Sequence, residues 1–190
     1  LPAYRSALPR TKSYRFFITA KTLQASAWLL LEMRGEISDL LSIYLGNTLL
    51  LAGFAFEALA LITVDSPDRK RQWLVAGTAL SGVALFCTFS TAPNIRVVLA
   101  SIATMAIFSI GGFYLFSERK KSALKMTTGL LYLVFSFILL FRAWAAYSAG
   151  SSFGLKSPAL VQTLSFLPLY ILMFASGTGF LLILKEKGDR

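Results

Sequence analysis

The chain has 190 residues, of which 56% are hydrophobic and only 15% charged, and its mean hydropathy is +0.65. Nineteen basic residues against nine acidic ones give a net charge of +10, with no histidine and a single cysteine, Cys87. This composition excludes disulfide frameworks, most metal sites and any Cys–His or Ser–His nucleophile pair, so neither a metal nor a cofactor is expected.

The apolar residues come in blocks near 20 residues, about the length a helix needs to cross roughly 30 Å of hydrocarbon. The blocks predict an all-α, polytopic transmembrane bundle with six spans, at about 15–33, 37–64, 72–91, 95–117, 126–148 and 158–185. Residues 1–190 read as one domain, with no soluble domain left over. The chain opens on Leu1 rather than Met, and no signal-peptide pattern begins it, so it reads as a fragment or processed form.

Before the first span lie Arg5, Arg10, Lys12 and Arg15, with Lys21 just inside it. Arg69, Lys70 and Arg71 come after the second span. Arg119, Lys120, Lys121 and Lys125 come after the fourth, and Lys185, Lys187 and Arg190 close the chain. Fifteen of the nineteen basic residues thus fall on one side, and Arg34, Arg96 and Lys156 fall on the other. The positive-inside rule then places both ends of the chain in the cytoplasm. Basic charge facing anionic headgroups accounts for the high pI without nucleic acid. Short connections such as "MRGE" and "TAPN" make successive helices antiparallel neighbours.

Polar groups in hydrocarbon are costly unless paired. Arg34, Asn47, Arg142 and Gln162 all fall in the outer half of the bilayer, and Glu57 lies deeper on the second span. Two readings stand side by side. The residues are interhelical glue, or they line an outward-facing cavity for a small polar or anionic ligand, with Trp28, Tyr44 and Trp144 as aromatic walls. The same aromatics, with Tyr147, are also what an interfacial belt contains. Ser42, Gly46 and Gly53 form a small-residue stripe suited to tight helix packing, with Glu57 close to it, pointing into the bundle toward Lys21 or a hydroxyl. On the last span, Pro168 predicts a kink, and Gly177 and Gly179 a close-packing or flexible stretch. Pro168, Gly177, Gly179 and Glu57 are the candidate residues for transmitting a signal.

The stretch "LLLEMRGEISDLLSIYLGNTLLLAGFAFE" resembles the membrane input region that precedes many bacterial diguanylate cyclase (GGDEF) domains and some sensor histidine kinases. Its Arg34, Gly35, Ile37, Asp39, Leu41, Ser42, Ile43 and Asn47 carry the likeness. "LLYLVFSFILLFRAWAA", with Arg142, is similar to a later span of such regions. "QTLSFLPLYILMFASGTGFLLILKEKGDR" is similar to their last span, which leads into the output domain. The resemblance implies a sensory input domain of a bacterial inner-membrane signalling protein. Its partners would be the lipid bilayer, a cytoplasmic output domain in the same polypeptide, an unknown small ligand and a second copy in a homodimer. Such regions usually begin with one more membrane helix, which would make a seventh, N-terminal span. They end in a catalytic domain, whereas these 190 residues carry no GGDEF signature and no histidine to accept a phosphate. The chain itself is not expected to be an enzyme. The rival expectation is a transporter or channel subunit.

Overall fold

The computed structural model describes residues 11–65, 68–89, 92–117, 122–150 and 160–188, with the side chains of 160–169 and 172 outside the description. Among these residues six helices run in chain order: α1 Lys12–Glu32, α2 Leu40–Ile62, α3 Arg69–Phe89, α4 Pro93–Ser117, α5 Ala123–Ala149 and α6 Leu160–Gly188. There is no strand among the described residues. Four helices, α2 to α5, are long and apolar enough to cross a bilayer. α1 has the length but carries Lys21 and Gln24 on a face turned into the bundle, which lowers its apolar content.

Local chemistry sets the helix ends. Hydropathy alone starts α1, α3 and α5 three residues too late, because polar caps extend them. Thr11 Oγ1 accepts from Tyr14 N–H at 3.3 Å, Asp68 Oδ1 from Arg71 N–H at 3.1 Å, and Ser122 Oγ from Lys125 N–H at 3.2 Å. Each satisfies an amide that the first helical turn leaves open. α4 opens on Pro93, whose fixed φ and missing N–H suit a first helical position. The correction at α2 runs the other way: it starts at Leu40 and not at 37. Gly35 sits at φ 97°, and the Met33 carbonyl accepts from the N–H groups of Glu36 and Ile37, forming a tight corner that uses up those residues. The first turns of α2, Leu40–Leu45, are π-helical, a wider winding that rotates the face presented by the remaining turns of the helix.

α2 lies at the centre, against α1, α3 and α4, while α4 pairs closely with α5, and α5 with α6. The small-residue stripe of α2 meets α1. A Cβ at Gly53 would lie 2.7 Å from Gln24 Cγ and 3.1 Å from the Ala20 carbonyl oxygen. Gly112 and Gly129 do the same for α4 and α5: a Cβ added at either would lie about 3 Å from the other's carbonyl oxygen. Small residues let the backbones approach where lipid would supply no hydrophobic push. The outside is as apolar as the inside: Trp73 is 76% exposed, Phe137 73% and Phe174 78%, all on the perimeter. α6 is helical without a break through Pro168.

The two ends of the bundle differ. One gathers Asp65, Arg71, Lys125 and Lys187, where Lys125 Nζ pairs with Asp65 and Lys187 Nζ donates to the Val64 carbonyl. The other gathers Arg34, Arg96 and Arg142.

Replacing Gly53 by leucine should lower the stability of the detergent-solubilised bundle by about 1–3 kcal/mol through overpacking against Gln24 and Ala20. Gly77→Ala on α3, where an added Cβ meets nothing within 4 Å, should be neutral or slightly stabilising. Unfolding midpoints of the two variants, measured side by side, check the α1–α2 interface.

Candidate functional site

At the arginine-bearing end, α1, α2, α4 and α5 enclose a cavity of about 50 Å³. Its polar lining is Arg34, Asn47, Arg96, Thr104 and Arg142, and Trp28 closes one side. Arg142 is buried on α5 and its Nη1 donates to Ser101 Oγ on α4 at 3.1 Å. Asn47 comes directly after the π-helical turn of α2 and spends one Nδ2 hydrogen on the Ile43 carbonyl at 2.7 Å. Arg34 stands in the α1–α2 corner. Burial, and after it the facing charge of Arg96, lower the pKa of its guanidinium, against a smaller opposing pull from Asp39. A second guanidinium close enough to disfavour the charge of Arg34 marks a positive potential at the pocket mouth.

Of the seven residues expected to bind a ligand, four meet here: Trp28, Arg34, Asn47 and Arg142. Tyr44 does not line the cavity. It packs on the Phe86 ring of α3, with centroids 6.2 Å apart, because the π-helical winding carries it to the α3 side. Trp144 also lies elsewhere, 63% exposed beside Phe141, as does Tyr147 at 70%. The reason is helical periodicity: Trp144 is two residues beyond Arg142, about 200° round the helix, so the burial of one turns the other outward. These two rings fit an interfacial belt rather than a pocket wall. Gln162 lies on α6 where side chains are outside the described residues. Arg96 and Thr104 belong to the pocket and were not singled out by sequence. Arg96 was visible only as a connection charge, although its position three residues into α4 places it over the arginine-bearing end.

A second polar centre lies deeper. The Glu57 carboxylate is 3% exposed. Its Oε2 accepts from Lys21 Nζ at 3.0 Å and from Gln24 Nε2 at 2.5 Å, and its Oε1 accepts from the Tyr132 hydroxyl at 2.5 Å. Lys21 Nζ shares its three hydrogens among Glu57, the Met173 carbonyl at 3.2 Å and Ser176 Oγ at 3.1 Å, both on α6, and Gln24 Oε1 at 3.2 Å. α1, α2, α5 and α6 therefore meet at one ion pair. Burying a carboxylate is tolerated only with such pairing and full hydrogen bonding.

Comparison with family models, curated proteins and solved structures finds no match to this chain. The site must be judged on its geometry.

Aromatic packing joins the two centres. Phe54 lines the pocket and meets Phe108 edge-on with centroids 4.9 Å apart; Phe108 meets Tyr132 edge-on at 5.3 Å, and Tyr132 bonds Glu57. On the other side, pocket-lining Trp28 touches α6 directly, with its Nε1 2.9 Å from Met173 Sδ and its ring stacked on Tyr170 at 4.7 Å. Of the residues expected to transmit a signal, Glu57 sits at the ion pair. Gly177 faces Phe17 and Lys21 with room for a Cβ at ordinary contact distance, whereas Gly179 lies close to Thr128, whose Oγ1 would be 3.0 Å from an added Cβ. Pro168 lies on α6 above these contacts, toward Tyr170.

Glu57→Ala should cost about 3–5 kcal/mol, since it strands the Lys21 ammonium in the bundle. The double substitution Lys21→Met with Glu57→Leu should cost far less than the two single changes added together. A thermodynamic cycle from unfolding in neutral detergent reads this coupling.

Proposed function

We propose that this chain is a multi-pass membrane input domain, with all six helices spanning the bilayer and both ends in the cytoplasm of a bacterial cell. It couples occupancy of the arginine-lined pocket to an output domain through α6. The bilayer reading is supported by four sufficiently apolar helices and by the large apolar residues on the perimeter. The orientation is supported by the gathering of Lys12, Arg15, Arg71, Lys125 and Lys187 at the end opposite the pocket. The resemblance to the input regions of diguanylate cyclases and sensor kinases supplies the class of output, working as a homodimer.

The observation that carries the reading is Trp28. It is at once a wall of the pocket and a stacking partner of α6. A ligand that shifts Trp28 necessarily changes what α6 packs against. It can bias that equilibrium only by its differential affinity for the two packings.

One observation favours transport as a second reading: a buried Lys–Glu pair is a feature of intramembrane ion relays. Against it, the ring column Phe54–Phe108–Tyr132 fills the space between pocket and ion pair. Flux through proteoliposomes separates the two, since an input domain passes no solute.

With α6 fused at its carboxyl end to a diguanylate cyclase reporter, Trp28→Ala should lock output at one level, and Trp28→Phe should retain part of the regulation. Normal regulation in a folded Trp28→Ala variant contradicts the proposal. Impermeant labelling that finds the carboxyl terminus outside the cell contradicts the orientation.

A further inference from the structure

Three guanidinium groups from three different segments converge on one small cavity: Arg34 from the α1–α2 corner, Arg96 from α4 and Arg142 from α5. The cavity also takes in Pro93 and Val97, so it lies at the amino-terminal end of α4, a 25-residue helix. That end carries the positive end of the helix dipole. Asn47, with one Nδ2 hydrogen on Ile43, has a second hydrogen to offer. Thr104 adds a hydroxyl. The remaining walls are apolar, among them Leu31, Ile43 and Phe54. Every charged group that lines the cavity is cationic, and Asp39 is the acid that acts on Arg34 from outside it.

Size narrows the occupant. A volume of about 50 Å³ corresponds to roughly four water-sized centres. Four or five heavy atoms is the size of a short carboxylate or an inorganic phosphate. A sugar, nucleotide or amino acid with a long side chain exceeds it. Guanidinium forks match the paired oxygens of such groups with two parallel N–H···O bonds. The apolar walls strengthen those bonds by excluding water.

We propose that the pocket binds a small oxyanion, of acetate to phosphate size, between Arg34, Arg96 and Arg142. The inference rests on the reading of this cavity as the ligand site and names the chemistry of its ligand. The oxyanion group can arrive as a free solute or as the headgroup phosphate of an anionic lipid, since the pocket lies at the bundle end.

Trp28 in the pocket wall supplies the readout. Trp73 and Trp144 are both exposed and lie outside the pocket, so Trp73→Phe and Trp144→Phe leave Trp28 as the only indole. This protein, purified in neutral detergent, is titrated with sodium phosphate, sodium acetate, sodium chloride and sodium gluconate at constant ionic strength. Phosphate or acetate should give a saturable change in Trp28 emission, while gluconate, whose polyol chain must stay outside the cavity, should need a higher concentration to reach saturation. Arg96→Gln should weaken binding about tenfold or more, with Arg96→Lys in between, and far-UV circular dichroism should be unchanged in both. A parallel titration compares nanodiscs of phosphatidylcholine with nanodiscs containing phosphatidylglycerol. Saturation by free anion identifies a solute, and a change confined to phosphatidylglycerol discs that Arg96→Gln abolishes identifies the phosphate of an anionic lipid; both support the oxyanion site. Saturation by chloride alone, or no saturable change in any arm, overturns it. The signalling reading fails separately. A saturable signal with an unresponsive cyclase fusion leaves the oxyanion site standing, and a responsive fusion with no saturation removes the oxyanion and not the sensing.

Discussion

The Glu57 carboxylate organises this bundle. Helices surrounded by lipid gain little from hydrophobic association, because the tails are as apolar as leucine. Close backbone packing and interhelical hydrogen bonds must then specify which helix sits where. Glu57 receives donors from two other helices, through Lys21 and Gln24 of α1 and Tyr132 of α5, and Lys21 extends the same centre to the Met173 carbonyl and Ser176 of α6. Separating α1 from α2 strands a charge in a low-dielectric interior, which costs several kcal/mol, and moving α5 or α6 takes a hydrogen bond from that pair. The small residues of α2 allow this, since the close approach at Gly53 brings Gln24 within reach of Glu57.

The same centre links the pocket to the last helix. Two contiguous paths leave the arginine-lined cavity: a direct one from Trp28 to Tyr170 and Met173, and a deeper one through Phe54, Phe108 and Tyr132 to Glu57 and Lys21. Both end on the Met173–Ser176 stretch of α6. In the proposed input domain, this convergence makes α6 the element whose position reports the state of the pocket. Closely packed interiors have discrete arrangements and do not deform smoothly, so a small change at the cavity has a defined consequence at α6.

Much of this was legible in the sequence, for physical reasons that differ from residue to residue. The six helices emerged from block hydropathy, and their boundaries erred where a cap such as Thr11, Asp68 or Ser122 extended a helix beyond its apolar run. The convergence of Arg34, Asn47 and Arg142 came from depth along antiparallel helices, because depth is set by residue number. The direction a side chain faces round its helix was the weak point. Trp144 has the right depth and the wrong face, and Tyr44 was turned toward α3 by a π-helical winding that no residue pattern announces. Glu57 read as inward-facing from the adjacent small residues, and Lys21 was a natural partner. Tyr132 and Gln24, which complete the carboxylate's coordination, look like ordinary members of their helices until the bundle brings them together.

The most direct measurement of whether Glu57 fixes α6 is a pair of spin-label distances in lipid nanodiscs, with Cys87 replaced by serine. Labels at the exposed positions Thr19 on α1 and Thr178 on α6 report the α1–α6 relation, and labels at Thr19 and Leu80 on α3 serve as reference. If the Glu57 centre holds α6 in place, Glu57→Ala broadens or shifts the Thr19–Thr178 distribution and leaves the Thr19–Leu80 distribution narrow and unchanged. An unaltered, narrow Thr19–Thr178 distance in Glu57→Ala contradicts the account.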